Sequence, residues 1–238
     1  MNKKLSTVFL FMICMVLTAC NEGCKKAGPL PGEDAATYKR RMLAIYSAQT
    51  ATGIDAVSDA IKVIVEGGAM DKVAGVKAIQ IDTKAASVWV IANERLKQGF
   101  TDAETVTKLN DLINDIEQLE KKDVIPFKSD KARVQFLIIT GGLKTSITAY
   151  KNLITAVQGP TFDTKVKGAQ GDLASAGSNA RDITWIFNLS NVVINAMGRI
   201  ANQSWLPTAQ AAYEDGEKII SELTAKNTAL INDWSATR

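Results

Sequence analysis

From about residue 34 to its end, the chain places apolar residues three and four positions apart, the spacing of one face of an α-helix. No stretch shows the apolar–polar alternation with hairpin turns that is typical of β-strands. A chain that is helical throughout can bury its apolar stripes only by packing helix against helix. We therefore predict an all-α fold.

Glycine, proline and capping residues divide this region into six segments. Segments of this length correspond to about 30–50 Å of helix, and long helices with short connections pack as antiparallel neighbours. The prediction is an elongated antiparallel bundle of about six long helices over residues 34–238, and a division into two three-helix halves near residues 126–128 is one form of it. The expected segments cover about 34–66, 71–98, 101–125, 129–158, 182–205 (with a start that reaches back toward 162) and 207–234.

The first twenty residues follow another pattern. A short basic start, Met1–Lys4, precedes a mostly apolar stretch from Leu5 to Leu17. This stretch is shorter than the roughly 20 residues that a membrane-spanning helix needs. Small residues then precede Cys20, as at the cleavage site of a secretory signal peptide. We predict a signal peptide over residues 1–19.

The cleavage site has a further feature, the sequence Leu17-Thr18-Ala19-Cys20, which resembles the lipobox of bacterial lipoproteins. The resemblance implies transfer of a diacylglyceryl group to the Cys20 thiol, cleavage after Ala19 and acylation of the new amino terminus. It implies a protein held at the bacterial cell envelope by its acyl chains. Asn21 is not the aspartate that favours inner-membrane retention, so the periplasmic side of the outer membrane is the expected location.

Residues 21–33 contain three glycines and two prolines without apolar periodicity, and we predict a flexible tether that begins at Cys20. Once Cys20 is acylated, Cys24 is the remaining thiol of the mature chain, either free, modified or bonded to another chain. Positive charge near the anchor is predicted to contact an anionic membrane surface, at about 1 kcal/mol per residue; a solvated helix face is the alternative. These residues are Lys25, Lys26, Lys39, Arg40 and Arg41.

The most hydrophobic segment of the mature chain, residues 183–206, carries a row of polar residues at steps of three and four: Asn188, Asn191, Asn195, Arg199 and Asn202. Placing this row in lipid would be costly, so the segment is predicted to be a bundle helix rather than a membrane span. Asparagine is a weaker helix former than lysine, glutamate or glutamine. We therefore predict that the stripe contacts a polar partner or lines a groove, with an ordinary solvent-facing side as the alternative.

The chain has no histidine, which excludes Ser-His-Asp and Cys-His catalysis, histidine-ligated zinc and the Glu-x-x-His motif of di-iron bundles. A net charge of +3 without a long basic run argues against nucleic-acid binding. Carboxylates at helical spacing, such as Asp111 with Asp115 and Glu117 with Glu120, are interpreted as charge on a solvated face. We expect no enzyme activity, no metal and no cofactor.

These observations lead to two hypotheses. The first is a non-enzymatic, lipid-anchored helical protein that acts by contact with another envelope protein, as a scaffold, an accessory subunit or an exclusion or immunity factor; a homo-oligomer is compatible with it. The alternative is a binding module whose bundle opens on an apolar pocket for a lipid or small hydrophobic ligand. A closed core favours the first, and a connected apolar cavity of about 300 Å³ or more favours the second.

Overall fold

The computed structural model describes residues 28–187, 191–201 and 206–236, so the predicted signal peptide and Cys20 lie outside the described residues. Within these ranges the secondary structure is helical without strands, which confirms the all-α prediction. Seven helices lie in the described ranges, numbered in chain order: α1 (Ala35–Glu66), α2 (Lys72–Lys97), α3 (Ala103–Leu119), α4 (Asp130–Ala156), α5 (Phe162–Phe187), α6 (Asn191–Ala201) and α7 (Ala209–Ala236).

The helix boundaries differ most from the prediction at the fifth segment. The sequence predicts one segment, firm from residue 182 and with a start that reaches back toward 162; α5 does begin at Phe162, but a separate helix, α6, follows it. The early start has a physical reason, since four apolar residues at steps of three and four are buried along this stretch. They are Phe162, Val166, Ala169 and Leu173. The intervening glycines, Gly168 and Gly171, obscure that stripe in the sequence.

Four helices begin at a side chain that accepts a hydrogen bond from the backbone N–H three residues later. Each such cap stabilises its helix by about 1 kcal/mol. The capping residues are Asp34 for α1, Asp71 for α2, Asp102 for α3 and Ser129 for α4.

Helix α1 is the central element, because it packs against α2, α4, α6 and α7. Helix α7 also packs against α2, and α3 lies between α2 and α4. The buried side chains form one hydrophobic core that extends from Tyr38 to Trp234. In the connection at residues 126–128, the Lys128 N–H donates to the Ala69 carbonyl oxygen at 2.8 Å.

Helix α6 is seated on α4 at a glycine. A Cβ atom at Gly142 would lie 2.8 Å from the Met197 methyl carbon, closer than carbon atoms pack. Gly142 thus leaves room for the Met197 side chain of α6, whereas its neighbour Gly141 faces open space. A pair of glycines inside a helix can allow either a bend of that helix or the close approach of another helix. Here α6 makes such a close approach.

Candidate interaction surfaces

Helix α6 carries the middle part of the predicted polar stripe. Asn191, Asn195 and Arg199 are exposed on it, while Asn188 and Asn202 lie outside the described residues. The opposite side of α6 is buried through Ala196, Met197 and Ile200. In the ranges that the structure describes, no helix is both long and apolar enough to cross a membrane. This stretch is therefore an amphipathic helix on the surface of the bundle.

The exposed Arg199 side chain forms ion pairs with two aspartates of α1. It donates to Asp55 and, at 3.1 Å, to Asp59. Lys226 of α7 bridges the same aspartates, with Nζ 2.6 Å from an oxygen of each. Burial opposes ionisation of Asp55, but hydrogen bonds from Lys226 and Arg199 hold its pKa below the usual value. This four-residue cluster ties α6 and α7 to α1.

One residue of the predicted membrane-contact set, Arg41, is buried, and its assignment to a membrane surface is wrong. Its side chain is 2% exposed and forms two hydrogen bonds to Glu33, at 2.8 and 2.7 Å. Arg41 also donates to the Gly28 carbonyl oxygen at 3.2 Å. The guanidinium lies inside because α1 places it beside Tyr38 and Met42 on the core side. Two residues of the predicted tether, Gly28 and Glu33, are consequently held against α1, while residues 29–32 between them are exposed.

The other predicted membrane-contact residues differ in their exposure. Lys39 is half-buried and donates to the Val157 carbonyl oxygen at 2.7 Å, at the end of α4. Arg40 is exposed. Lys25 and Lys26 lie outside the described residues. Of the three described members, Arg40 is the one whose side chain is exposed.

A surface feature that sequence reasoning missed is an open groove between α2 and α7, which we call the α2–α7 groove. Trp89 forms its floor, is 1% exposed and donates its indole N–H to the Ser47 carbonyl oxygen at 2.9 Å. Gly216 admits the indole ring, since a Cβ there would lie 2.9 Å from it. The groove has a volume of about 690 Å³. It is lined by Trp89, Val90, Asn93, Glu94, Glu217, Ile220, Ser221, Thr224, Ala225 and Thr228.

The groove is mostly apolar although several of its residues are not. Thr224 and Thr228 donate their hydroxyls to carbonyl oxygens one turn earlier on α7, at 2.7 and 2.9 Å. Each hydroxyl is therefore satisfied by its own helix. Val90, which lines the groove, is 42% exposed, and Ile91, the next residue of α2, is 47% exposed. The volume exceeds the 300 Å³ expected of a ligand pocket, but the groove lies open on the surface instead of inside the core.

One end of the groove is acidic. Lys97 donates to Glu217 at 2.5 Å and to Glu94 at 3.1 Å, so two carboxylates share one ammonium group. These hydrogen bonds, and the one to Glu217 most of all, raise the pKa of Lys97. Asn93 also donates to Glu217, at 3.4 Å. A bound molecule with a positive charge at this end would complete the charge balance.

Behind the groove lies a buried polar network that joins three helices. Asn227 of α7 is fully buried, accepts from Ser58 of α1 at 2.6 Å and donates to Asp82 and Thr83 of α2 at 3.0 and 3.1 Å. These three partners on two neighbouring helices favour a role for Asn227 in fixing the register of α7. We call these four residues the Asp82 network.

Asp82 lacks a full set of partners. Its side chain is fully buried, and its Oδ1 accepts no hydrogen bond in the part of the chain that the structure describes. Burial raises its pKa to about 7, against the opposing effects of the Asn227 hydrogen bond and the Lys226 charge. A sequence signal for this site existed, because Asp82 stands three residues from Ile79 and seven from Trp89, on the buried stripe of α2.

The carboxylates at helical spacing serve as helix–helix contacts rather than solvated charge alone. Asp115 is buried and pairs with Lys84 at 2.5 Å, and Glu120 pairs with Lys144 at 2.6 Å. The interpretation of Asp115 as solvated is therefore wrong. Among the described residues, no group of three or more Cys, Asp or Glu side chains could hold a metal ion.

Comparison of the chain with protein-family models, curated proteins and solved structures found no match.

Proposed function

We propose that this chain is a non-enzymatic lipoprotein of the bacterial envelope, anchored through acyl chains on Cys20 at the periplasmic side of the outer membrane. Its body, an elongated and largely antiparallel bundle, binds a helical segment of another envelope protein in the α2–α7 groove. It acts through this contact, as a scaffold, an accessory subunit or an exclusion or immunity factor. The single observation that carries the contact is the open, mostly apolar groove beside exposed Val90 and Ile91.

The dimensions of the groove favour a helix as its occupant. Residues 217–228 rise about 17 Å along α7, which corresponds to about three turns of a bound helix. Amphipathic helices bind grooves of this kind through apolar residues one turn apart. At the acidic end, Glu94 and Glu217 share one cation, Lys97, so that among the described ion pairs one negative charge there is not balanced. We therefore expect an amphipathic partner helix with a basic residue near that end.

The packing of residues 28–33 supports action close to the membrane. Because Arg41 holds Glu33 and Gly28, the free connection from Cys20 ends at residue 28 instead of residue 33. Eight residues extend at most about 28 Å. The body thus stays near its own bilayer, where the high local concentration of membrane partners allows a weak contact to suffice.

The experiment that tests this function uses a photo-crosslinking amino acid at Ser221, which lines the groove, in the full-length protein in native membranes. The matched control carries the same amino acid at Glu117, an exposed position on α3. We expect one discrete protein adduct from position 221, joined through an amphipathic helix that contains a basic residue, and its loss when Val90→Asp is added. Equal adducts from both positions, or an adduct that Val90→Asp leaves unchanged, would contradict the proposal.

The alternative, a module for a lipid or small hydrophobic ligand, is favoured by the same volume, which falls within the range of small-molecule pockets. It predicts that the adduct at position 221 has the mass of a lipid rather than a protein. It also predicts that a fluorescent fatty acid binds the purified protein and that Val90→Asp weakens this binding.

A further inference from the structure

The Asp82 network is placed where it can control how tightly α2 and α7 pack. Within the network, Asn227 of α7 is the side chain that bonds to both other helices. It contacts α1 through Ser58 and α2 through Asp82. The groove residues Thr224, Ala225 and Thr228 lie on the same stretch of α7. A change in the contact between Asp82 and Asn227 therefore acts directly on one wall of the groove.

The surroundings of Asp82 favour its neutral form. Its carboxyl group accepts one hydrogen bond from Asn227, and its second oxygen accepts none from the described residues. A buried carboxylate is stable only when cations and hydrogen-bond donors surround it. Asp82 has fewer donors than an ionised carboxylate in a protein interior requires.

The charged groups that act on Asp82 come from two helices. Lys226 of α7 favours ionisation, whereas Asp55 and Asp59 of α1 oppose it. Lys226 is engaged with those same aspartates, which reduces its effect on Asp82. On the side of Asp82 that faces α3, the charged groups are Lys84 of α2 and Asp115 of α3. These two form an ion pair with each other, so Lys84 is already engaged.

We propose that Asp82 is a pH-sensitive lock on the α2–α7 contact: the closed contact accommodates its neutral carboxyl group, and loss of its proton leaves a buried charge with too few donors, which loosens α7 from α2 beside the groove. The direction of the pH effect follows from the chemistry of a carboxylic acid, which is neutral at low pH and charged at high pH. Burial shifts the midpoint of titration from the ordinary 3.8 to about 7. The neutral form is therefore fully present below the ordinary pKa, and the stabilisation is lost as the pH rises through neutrality.

The consequence for the groove rests on the proposed function, because loosening of α7 matters for a partner only if the partner binds there. The lock itself does not depend on that assignment. A chain outside the cytoplasm would experience the external pH, so a group that titrates near neutrality would change state within ordinary growth conditions.

The test is hydrogen–deuterium exchange of the full mature chain, measured by mass spectrometry between about pH 5.5 and 8.5 and corrected for the intrinsic exchange rates. Peptides from α2 and α7 report the lock, and peptides from α5 serve as the internal reference. In the wild type we expect the protection of α2 and α7 to fall on the order of 30-fold over this range. In Asp82→Asn, which has the same shape but does not titrate, we expect protection that does not change with pH.

Asp115→Asn is the matched control. Asp115 is also buried and also has an oxygen without a hydrogen bond among the described residues, but it is paired with Lys84. We expect this variant to retain the wild-type pH dependence in α2 and α7. Protection that is flat with pH in the wild type, or pH-dependent in Asp82→Asn, would overturn the lock.

A measurement without any variant covers the case in which Asp82→Asn does not fold. Wild-type protein with ¹³C-labelled aspartate carboxyl groups is titrated by NMR, and we expect one carboxyl resonance with a midpoint near neutrality. Titration of every aspartate below about pH 5 would refute the proposal. Either result is independent of the crosslinking at Ser221, so failure of the lock and failure of the proposed function are distinguishable.

Discussion

The amino-terminal end of α1 and the contact between α2 and α7 each bury a charged side chain, but the two regions handle that charge differently. At the end of α1, Arg41 forms two hydrogen bonds to Glu33 and a third to Gly28. Between α2 and α7, Asp82 has one donor and no directly bonded cation among the described residues. The first region gains from having its charges present, whereas the second is most stable with its charge removed.

This difference gives the two regions opposite responses to pH. The hydrogen bonds from Arg41 lower the pKa of Glu33, so the stability from this pair is present above the ordinary carboxyl pKa and is lost as the pH falls. Burial raises the pKa of Asp82, so its contribution is lost as the pH rises through neutrality. The joint contribution of these two groups to the free energy of unfolding should therefore be largest near the ordinary carboxyl pKa and should fall from there towards pH 7.

The largest effect is expected from breaking the paired region. Arg41→Ala leaves Glu33 buried without its cation, and removal of one partner of a buried pair costs about 3–5 kcal/mol of unfolding free energy. Urea denaturation at neutral pH measures it. Arg40→Ala, at the exposed neighbouring position, is the control and should cost less than about 0.5 kcal/mol. Equal losses in the two variants would show that the pair does not stabilise the fold.

The next effect concerns the unpaired region. Between about pH 5 and 8.5 the wild type should lose about 2–3 kcal/mol of unfolding free energy through ionisation of Asp82, and Asp82→Asn should lose none of this. Lys226→Met should raise the midpoint of the loss further, because it removes the cation that favours ionisation. Denaturation curves at a series of pH values give these midpoints. Wild-type stability that rises steadily to pH 8.5 would contradict the account of Asp82.

A third prediction concerns the packing of the groove floor. Gly216→Ala places a methyl group against the Trp89 ring and 3.2 Å from the Ala48 backbone, so it should cost about 1–3 kcal/mol. The control is Gly168→Ala, because that helical glycine of α5 faces open space and the change should stabilise the protein by about 0.5–1 kcal/mol. Thermal unfolding compares the two. A neutral Gly216→Ala would mean that Trp89 has room to move.

The smallest effect is expected at the surface cluster. Arg199→Ala should cost about 0.5–1 kcal/mol at low salt and less at high salt, because the guanidinium is partly exposed and its attraction to Asp55 and Asp59 is screened. Asn195→Ala on the same helix is the reference and should show no salt dependence. A salt-independent loss in Arg199→Ala would indicate lost packing rather than lost charge.

Local sequence signals predicted most of the helices, and the reasons are visible in single residues. Asp34 and Asp71 cap the helices that they precede, and Gly67 and Gly99 follow the ends of α1 and α2. Such signals act within one turn, so the sequence contains them in full. The start of α5 is a weaker signal, because Gly168 and Gly171 interrupt its buried stripe.

The interaction surfaces were less predictable because they depend on residues far apart in the chain. Arg199 finds its partners about 140 residues earlier, at Asp55 and Asp59. Arg41 stands in a run of basic residues typical of a solvated face, and its position near Tyr38 and Met42 on the helix decides its burial instead. The α2–α7 groove exists because two helices leave space between their side chains, which spacing along one chain does not encode.

The account depends most on the acyl anchor at Cys20, which mass spectrometry of the amino-terminal peptide from native membranes tests directly. We predict a peptide that begins at Cys20 and carries a diacylglyceryl group on the thiol. A peptide with an unmodified Cys20, whether the first nineteen residues are retained or cleaved elsewhere, would contradict the proposal that this bundle works at a membrane surface.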